Sequence, residues 1–552
     1  MSKASLELGG GNWAAKDGKL LGYAVGDTSG KYLPREFDFT RGGDLAATRV
    51  NEDGLIEKYR ENLLLQSNNF GETWAVSSVS VSSGESGYDG SSDAWLLSKS
   101  DANGFIRQFV DVSTQASTFS FYAKAGTLDW VYVNTVSVTA YFYLSGSGSV
   151  GTVTGSTNVI DTNIESVGNG WYRISVSGLG FTQERIYPAD GNEDTSGTSG
   201  SIYIQDAQLE YGLVATDYLE SGAATGKAGI LDNLPRIDYT GGSASLLLEP
   251  SRTNKLVHSE YFDSWASNHV NKELGYLAPD GTYSAYKITS TDGGANSNVY
   301  LASAVLADDT RSIWARTTSG TGTAELLTYF GNTNNLFTIT EEWQRFEISS
   351  VTTSIGETNF YAVDFRGGDG TLSEVIIWGA QAEEGSYPTS YIPTYGVSAT
   401  RNEEFNNLSF TGIETEGTVF GEIEVVDTGV FGTPMALSVD DNTNNFVLIY
   451  KTDVNRLSGR IRFGGVDQAL LDSGILTEGY HKFALKYKEN DCEFFVDGVS
   501  VATDTSVSIP TNLNVIRQYI GESTNLFVGG TKQLLYFPTA LTDSECIALT
   551  TL

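Results

Sequence analysis

The sequence has few of the side chains that most often build reactive or metal-binding centres. Its 552 residues include 2 cysteines, Cys492 and Cys546, which excludes a disulfide framework and allows one bridge at most. The 3 histidines, His258, His269 and His481, lack the spacing of a motif such as His-Glu-x-x-His. No Gly-x-Ser-x-Gly elbow or phosphate-binding loop is present either. The sequence therefore predicts a protein that is not an enzyme.

Basic residues and long apolar runs are also scarce. The chain has 34 Lys and Arg against 68 Asp and Glu, a net charge of −34, which repels nucleic acid and anionic membranes. No apolar stretch approaches the roughly 20 residues that span a bilayer, and the N-terminus from Met1 to Ser5 lacks the apolar run of a secretory signal. We expect synthesis in the cytoplasm, no nucleic-acid partner and no membrane insertion.

One module of the sequence occurs twice. The segment from Arg60 to Trp74 returns from Arg252 to Trp265, at a distance far beyond the roughly 20–50-residue period of solenoid repeats. Later landmarks recur in the same order: Trp171-Tyr172-Arg173 as Trp343-Gln344-Arg345, Ala207-Gln208-Leu209-Glu210 as Ala380-Gln381-Ala382-Glu383, and Thr216-Asp217-Tyr218 as Thr389-Ser390-Tyr391. The offset shrinks along the copies, so the second is expected to lack residues between Trp265 and Trp343.

Alternating apolar and polar residues predict an all-β chain of short strands and turns, which is typical of β-sandwiches. The division that we expect is an extended N-terminal arm (1–60), a jelly-roll β-sandwich (61–221), an ordered connector (222–253), a second jelly-roll β-sandwich (254–397), a linker (398–414) and a C-terminal β-sandwich (415–552). Pro235 and Pro250 favour an ordered connector. Thr542 and Glu545 predict a capping box on one short final helix.

The last module contains an ordered set of short motifs: Tyr480-His481-Lys482-Phe483-Ala484-Leu485, Phe495-Val496-Asp497-Gly498, Ile520-Gly521, Leu535-Tyr536-Phe537 and Ala540-Leu541-Thr542-Asp543-Ser544-Glu545. Through this set the module resembles the laminin-G/concanavalin-A-like lectin superfamily. The resemblance implies a two-sheet concanavalin-like sandwich that serves adhesion or glycan binding. The repeated modules are similar to carbohydrate-binding-module jelly rolls through Gly170-Trp171-Tyr172-Arg173 and Ala207-Gln208-Leu209-Glu210-Tyr211-Gly212.

The connecting segments contain Ala47-Thr48-Arg49-Val50-Asn51-Glu52-Asp53-Gly54-Leu55-Ile56-Glu57, Pro235-Arg236-Ile237-Asp238-Tyr239, Leu246-Leu247-Leu248-Glu249-Pro250-Ser251-Arg252-Thr253-Asn254, Thr389-Ser390-Tyr391-Ile392-Pro393-Thr394 and Ala399-Thr400-Arg401. Through these residues they resemble segments of bacteriophage tail fibres and other virion structural proteins. This resemblance implies a virion component that is bound to other virion proteins through its N-terminal arm. We also expect the chain to form a homo-oligomer.

Two loops are candidate glycan-binding sites, because sugars need exposed rings to stack on and amides or carboxylates to take their hydroxyls. The candidate residues are Tyr329, Asn332, Asn334, Asp440, Asp441 and Asn442. Asp440 and Asp441 also offer the hard oxygen ligands that calcium prefers. The alternative is an ordinary turn, in which Asn and Asp are common. For Trp171 and Trp343, placed in strands, a core position is expected.

These features favour a non-enzymatic tail fibre or receptor-binding protein that attaches to host-surface glycans. The alternatives are a capsid fibre or decoration protein and, from another class, a bacterial surface adhesin. A polysaccharide depolymerase comes last, because 68 acidic residues can conceal the pair of carboxylates that such an enzyme needs.

Overall fold

The structure, a computed structural model, describes residues 3–11, 13–25, 32–43, 46–302, 309–327, 335–351, 359–366, 369–440, 442–520 and 526–552. Within these ranges the chain is almost entirely β, with one α-helix at its C-terminal end. The all-β fold class predicted from the alternating pattern is confirmed. No helix in these ranges is long and apolar enough to span a membrane.

The strands before and within the first sandwich are β1 (Leu6–Gly9), β2 (Ala14–Lys16), β3 (Lys19–Val25), β4 (Tyr32–Thr40), β5 (Thr48–Val50), β6 (Ile56–Lys58), β7 (Arg60–Asn62), β8 (Ala75–Ser77), β9 (Val79–Glu85), β10 (Ala94–Lys99), β11 (Phe105–Gln108), β12 (Ser117–Ala125), β13 (Trp130–Asn134), β14 (Thr139–Tyr143), β15 (Ser149–Thr154), β16 (Val159–Gly168), β17 (Trp171–Gly178), β18 (Glu184–Ala189) and β19 (Gly200–Tyr211).

The connector and the second sandwich contain β20 (Gly226–Ala228), β21 (Arg236–Asp238), β22 (Ser245–Leu248), β23 (Arg252–Asn254), a 3-10 turn (Phe262–Ser264), β24 (Ala266–Asn268), β25 (Val270–Tyr276), β26 (Ala285–Ser290), β27 (Asn298–Leu301), β28 (Asp309–Arg316), β29 (Gly322–Glu325), β30 (Leu336–Ile339), β31 (Gln344–Val351), β32 (Phe360–Asp364) and β33 (Glu374–Glu384).

The C-terminal part contains β34 (Ala399–Arg401), β35 (Phe405–Ser409), β36 (Gly417–Val425), β37 (Gly432–Val439), β38 (Asn442–Lys451), β39 (Arg456–Phe463), β40 (Val466–Ile475), β41 (Gly479–Tyr487), β42 (Cys492–Val496), β43 (Val499–Asp504), β44 (Val515–Arg517), β45 (Gly529–Phe537) and α1 (Asp543–Thr550).

The first sandwich packs two antiparallel sheets around one apolar core. In the described ranges their strand orders are β16-β17-β12-β19-β10-β9 and β15-β14-β13-β18-β11-β8. Inward-facing residues such as Phe121, Val131, Phe142 and Ile186 are buried between the sheets. Since side chains alternate along a strand, every second residue of the outer strands faces away from this core.

The second sandwich has the same strand order in a shorter form. Its sheets are β25-β26-β33-β28-β31 and β24-β27-β32-β29-β30, which match the first sandwich strand by strand once β15 and β16 are left out. β30 ends at Ile339 and β31 begins at Gln344, so among the described residues nothing corresponds to the β15–β16 hairpin. The shortening falls between Trp265 and Trp343, as the shrinking sequence offset predicts.

The repeated landmarks form the same buried hydrogen-bond network in each sandwich. The side-chain amide of Asn62 donates two hydrogen bonds to backbone carbonyls and accepts two from backbone N–H groups, and Asn254 does the same. The carbonyl acceptors are those of Ala207 and Leu219 for Asn62 and of Ala380 and Ile392 for Asn254. This network ties the strand that enters each sandwich to the segment that leaves it, which explains why these residues recur.

The N-terminal segment is not the extended arm that its glycine-rich sequence predicts. Residues Leu6, Leu8, Leu20, Phe37 and Phe39 are buried in the same apolar core as the C-terminal strands. The strand pairing runs β40-β39-β38-β37-β44-β35-β4-β3-β1-β45-β36-β41-β42-β43 without a break. The two ends of the chain therefore build one sandwich together, and β1 joins its two layers.

The connector and the linker also contribute to this sandwich instead of standing apart from it. β22 pairs with β45, and β35 pairs with β4 and β44. The expected start of the C-terminal sandwich at residue 415 is therefore too late, because β35 (Phe405–Ser409) already belongs to its sheet. Pairing between strands far apart in sequence leaves no local signal, which is why the expected boundaries miss it.

A buried ion cluster fixes the place where these segments meet. Arg236 contacts Glu249 (2.8 Å) and Glu404, Arg401 contacts Glu249 (3.0 Å), and Arg41 contacts Glu404 (3.1 Å). Burial alone would raise the pKa of Glu249, but the guanidinium groups of Arg401 and Arg236 lower it to about 2. Charges buried in this way are stable only when all of them are paired, so the connector is ordered by its partners.

Several local predictions are confirmed. Thr542 caps α1 through the backbone N–H of Glu545, whose carboxylate reaches back to the Thr542 N–H, as a capping box requires. Asp497 and Gly498 turn β42 into β43 with positive φ angles of 48° and 80°, the backbone that a two-residue hairpin needs. Cys492 and Cys546 are both buried and free.

Candidate functional site

Asp440 is engaged in closing a turn. Its backbone N–H donates to Asn514 Oδ1 (2.8 Å), while Asn514 Nδ2 donates to Asp440 Oδ1 (2.9 Å) and Arg517 donates to the Asp440 carbonyl oxygen (2.7 Å). Asp441 and the side chain of Asn442 lie outside the described residues. These contacts agree with the turn alternative for Asp440, and the glycan and calcium roles of the loop stay predictions.

The other predicted loop, with Tyr329, Asn332 and Asn334, lies outside the described residues. In the ranges that the structure covers, no group of three or more His, Cys, Asp or Glu side chains is placed to hold a metal ion. Of the two tryptophans expected in the core, Trp171 is buried and Trp343 is partly exposed, its Nε1 donating to the Leu277 carbonyl oxygen at 3.1 Å.

The outer surface of the sheet β15-β14-β13-β18-β11-β8, here called the aromatic face, carries a line of neighbouring aromatic rings, of which Tyr132 and Tyr141 are stacked and the other adjacent pairs are tilted by 44° to 49°. Tyr141, Tyr132, Tyr187 and Phe105 lie side by side across β14, β13, β18 and β11. Their centroids are 4.4 Å apart for Tyr132 and Tyr141, 4.9 Å for Tyr132 and Tyr187, and 4.9 Å for Phe105 and Tyr187. Three strand spacings of about 4.8 Å give this ring row a length of about 14 Å.

The alternation of β13 and β14 places these rings outward. Val131 and Val133 of β13 are buried in the core, so Tyr132 between them faces away from it. The register is fixed by pairing, since Tyr132 is directly opposite Tyr141 on one side and Tyr187 on the other. The fold thus builds the row from strands whose inward residues are apolar and whose outward residues are mostly aromatic.

Different side chains flank the two sides of the ring row. On one side Trp130 packs against Tyr143, with ring centroids 5.1 Å apart. On the other side lie Asn134, Arg185 and Arg107, each two residues along its strand from Tyr132, Tyr187 and Phe105 and therefore on the same outer surface. The aromatic face therefore combines apolar rings with amide and guanidinium donors.

The phenol groups of Tyr141 and Tyr187 stay protonated at neutral pH. Burial raises the pKa of Tyr141, and the neighbouring Tyr132 and Glu193 raise it further. Burial also raises the pKa of Tyr187, although the nearby Arg185 lowers it in part. Neutral phenols can both donate and accept hydrogen bonds, which suits contact with hydroxyl groups.

The second sandwich keeps the fold and lacks the ring row. Its equivalent sheet carries one ring pair on the outer surface, Tyr300 and Tyr361 at 5.1 Å. The strands that correspond to β13 and β14 are β29 and β30, which present Thr323, Glu325, Leu336 and Thr338 outward, because Ala324 faces the core. Among the described residues, the ring row thus belongs to one copy, so the shared fold does not require it.

A cavity of about 1070 Å³ lies between the two sandwiches. At its wall the ammonium group of Lys58 contacts Glu260 (3.0 Å) and Asp280 (2.7 Å). Burial would lower the pKa of Lys58, but these two carboxylates raise it well above its ordinary value. These three charged groups are paired with one another, so this part of the wall is a structural contact between the sandwiches.

Sequence reasoning missed the aromatic face, although the signal was present. The segments Trp130-Val131-Tyr132-Val133-Asn134 and Thr139-Ala140-Tyr141-Phe142-Tyr143 place aromatic residues at most of their outward positions. The alternation of buried apolar residues with these rings is the signal in the sequence that indicates an aromatic sheet surface.

Comparison with known proteins gives little further guidance. No protein-family model matches the chain, and no curated protein matches it. Among solved structures, a carbohydrate-binding module (CBM40) of a Ruminococcus gnavus IT-sialidase is similar at 17% identity, covering 25% of this chain and 83% of its own, with a TM-score of 0.22. A leech intramolecular trans-sialidase is 19% identical over 26% of this chain and 24% of its own, with a TM-score of 0.23.

A SAP-like pentraxin from Limulus polyphemus is 11% identical over 25% of this chain and 70% of its own, with a TM-score of 0.22. At TM-scores this low, the three likenesses carry no argument about what this chain binds. The case for a function depends on the chain's own residues.

Proposed function

We propose that this chain is a glycan-binding protein and that the aromatic face of the first sandwich is its binding surface. The observation that carries the proposal is the ring row of Tyr141, Tyr132, Tyr187 and Phe105, with neighbouring centroids 4.4 to 4.9 Å apart on the outward side of the sheet. Tyr141, Tyr132 and Phe105 are partly exposed and can contact a ligand, whereas Tyr187 is buried at 7% exposed. The length of the ring row, about 14 Å, fits several linked sugars better than a single ring.

Physical chemistry explains why such a surface suits a glycan. The apolar faces of sugar rings stack on aromatic rings, while their hydroxyls require donors and acceptors at the edge. The phenols of Tyr132 and Tyr141 and the amide of Asn134 provide both. Asn134 Nδ2 already donates to Tyr132 Oη at 3.0 Å, so these groups are held in place before a ligand arrives and lose little entropy on binding.

The test is a glycan array probed with the full-length chain. We expect binding to a subset of oligosaccharides, and we expect the double variant Tyr132→Ala/Tyr141→Ala to lose it. The matched control is Tyr300→Ala/Tyr361→Ala, which removes the ring pair from the equivalent sheet of the second sandwich. Thermal unfolding of each variant shows whether the fold is intact.

Retention of array binding by the Tyr132→Ala/Tyr141→Ala variant would contradict the proposal, as would equal loss in the matched control. If the folded wild-type chain binds none of the glycans on the array, the proposal of glycan binding is refuted.

Binding without turnover is part of the same proposal. A depolymerase needs two carboxylates about 5–10 Å apart across the scissile bond, and the ring row itself is made of phenols and a phenyl group. Incubating an array ligand with the chain and analysing the products by mass spectrometry tests this point. Shortened oligosaccharides would favour the depolymerase alternative.

We further propose that glycan binding serves the attachment of a bacteriophage particle to its host, with the chain as a homo-oligomeric tail fibre or receptor-binding protein. The support is the resemblance of the connecting segments to virion proteins, together with an ordered junction suited to a stiff fibre. A capsid fibre or decoration protein is the alternative. Mass spectrometry and antibody labelling of purified particles would locate the chain on the tail, on the capsid or on neither.

A further inference from the structure

We propose that the aromatic face selects anionic glycans, which carry carboxylate or sulfate groups, through Arg107 and Arg185. This inference depends on the proposed glycan binding and adds the chemical class of the ligand. Its basis is that the two guanidinium groups lie opposite each other beside the ring row and form no ion pair among the described residues.

The two arginines lie directly opposite each other on adjacent strands. Arg107 of β11 pairs with Arg185 of β18 in the antiparallel register, and both side chains are on the outer surface next to Phe105. The guanidinium carbon of Arg107 is 5.6 Å from the Phe105 ring centroid and that of Arg185 is 5.4 Å from it. Arg107 also lies 4.4 Å from the ring centroid of Phe109, which is 65% exposed.

Like charges directly opposite in a sheet destabilise it unless a counter-charge is near. In the described part of the chain, neither Arg107 nor Arg185 forms an ion pair. Arg185 Nε donates to Gln183 Oε1 at 3.0 Å, whereas the buried Nε of Arg107 has no hydrogen-bond acceptor. A ligand anion beside the two guanidinium groups would supply the missing counter-charge.

The absence of an ion pair is shared with other arginines of the described residues, such as Arg60 and Arg316. The argument therefore depends on the placement of Arg107 and Arg185 opposite each other beside the ring row. The net charge of −34 does not prevent anion binding locally, since charges beyond about 8 Å are screened at physiological salt.

The second sandwich supplies an internal comparison. Arg366 also lies over a ring of the outer surface, 5.1 Å from the Tyr361 centroid, but it pairs with Asp364 at 2.7 Å. An arginine can therefore lie over an outer ring while its charge is paired with a carboxylate, as Arg366 does. The planar guanidinium fork of Arg107 and Arg185 matches the two oxygens of a carboxylate or sulfate.

The experiment measures the affinity of the full-length chain for three hexasaccharides by calorimetry. Hyaluronan hexasaccharide carries carboxylates only, chondroitin-4-sulfate hexasaccharide carries carboxylates and sulfates, and chitohexaose is neutral. We expect at least one anionic hexasaccharide to bind about 10-fold more tightly than chitohexaose, the size of one charge-assisted hydrogen bond. Preference between the two anionic ligands distinguishes carboxylate from sulfate.

Three variants identify the groups responsible. Arg107→Gln/Arg185→Gln should abolish the preference for anionic ligands, Arg107→Lys/Arg185→Lys should keep part of it because the charge remains, and Arg366→Gln should leave it unchanged. Equal affinity of the wild-type chain for all three hexasaccharides, with loss in Tyr132→Ala/Tyr141→Ala, would overturn the anionic selectivity and leave glycan binding standing. No binding of any hexasaccharide, together with an empty glycan array, would overturn both proposals.

Discussion

Removing the N-terminal segment should unfold the C-terminal sandwich, although the two are more than 350 residues apart in sequence. A chain that starts at residue 46 lacks Leu6, Leu8, Leu20, Phe37 and Phe39, each at most 2% exposed in the shared core. At about 1.5–3 kcal/mol for each fully buried side chain, the lost burial is about 8–15 kcal/mol. The free energy of unfolding of a domain is about 5–15 kcal/mol, so the deletion removes all or most of it.

Limited proteolysis followed by mass spectrometry tests this expectation. In the truncated chain, peptides from residues 415–552 should be digested early, while fragments of the first sandwich persist because its core is complete without the N-terminal strands. A full-length chain with Lys16→Ala and Lys19→Ala serves as the control, because these exposed ion pairs with Glu36 and Asp38 contribute little. Protease resistance of residues 415–552 in the truncated chain would refute the shared-sandwich architecture.

Two further substitutions test buried ionisable side chains. The side chain of Glu184 is buried without a side-chain partner in the described residues, and burial raises its pKa from 4.5 to about 9. Because the unfolded chain releases this proton at a lower pH than the folded chain, the free energy of unfolding falls as pH rises from about 4.5 to 9. Glu184→Gln should flatten this dependence in urea-unfolding curves and raise stability at pH 7 by up to about 3 kcal/mol; an unchanged slope would contradict the raised pKa. Arg236→Ala leaves Glu249 and Glu404 buried without that partner and should cost about 3–5 kcal/mol in the same assay, whereas a loss below about 1 kcal/mol would show that the cluster is not a tight junction.

Local features of the fold could be predicted from the sequence because their causes are local. Alternation along single strands gives the all-β class, Asp497-Gly498 gives a hairpin, and Thr542 with Glu545 gives a helix cap. The duplication was visible because the hydrogen-bond network around Asn62 and Asn254 allows few other residues.

Long-range pairing could not be predicted in this way. The apolar pieces around Leu6 and Leu20 are too short to reveal that they share a core with β45, since register is set by a partner more than 500 residues away. The aromatic face was partly accessible, because Trp130-Val131-Tyr132-Val133 alternates visibly. Its ring row still depends on which strands become neighbours, and only the sheet order places Tyr187 beside Tyr132 and Phe105 beside Tyr187.

The most direct test of glycan binding by the aromatic face is fluorine NMR of the full-length chain labelled with 5-fluorotryptophan. The chain has 9 tryptophans, and Trp130 lies at the edge of the ring row while Trp343 is on the second sandwich. The resonance of Trp130 is assigned with Trp130→Phe and followed during titration with an oligosaccharide from the array. Glycan binding at the aromatic face predicts a saturable shift of the Trp130 signal with Trp343 unchanged. A saturable shift of another tryptophan with Trp130 unmoved would place the binding site elsewhere.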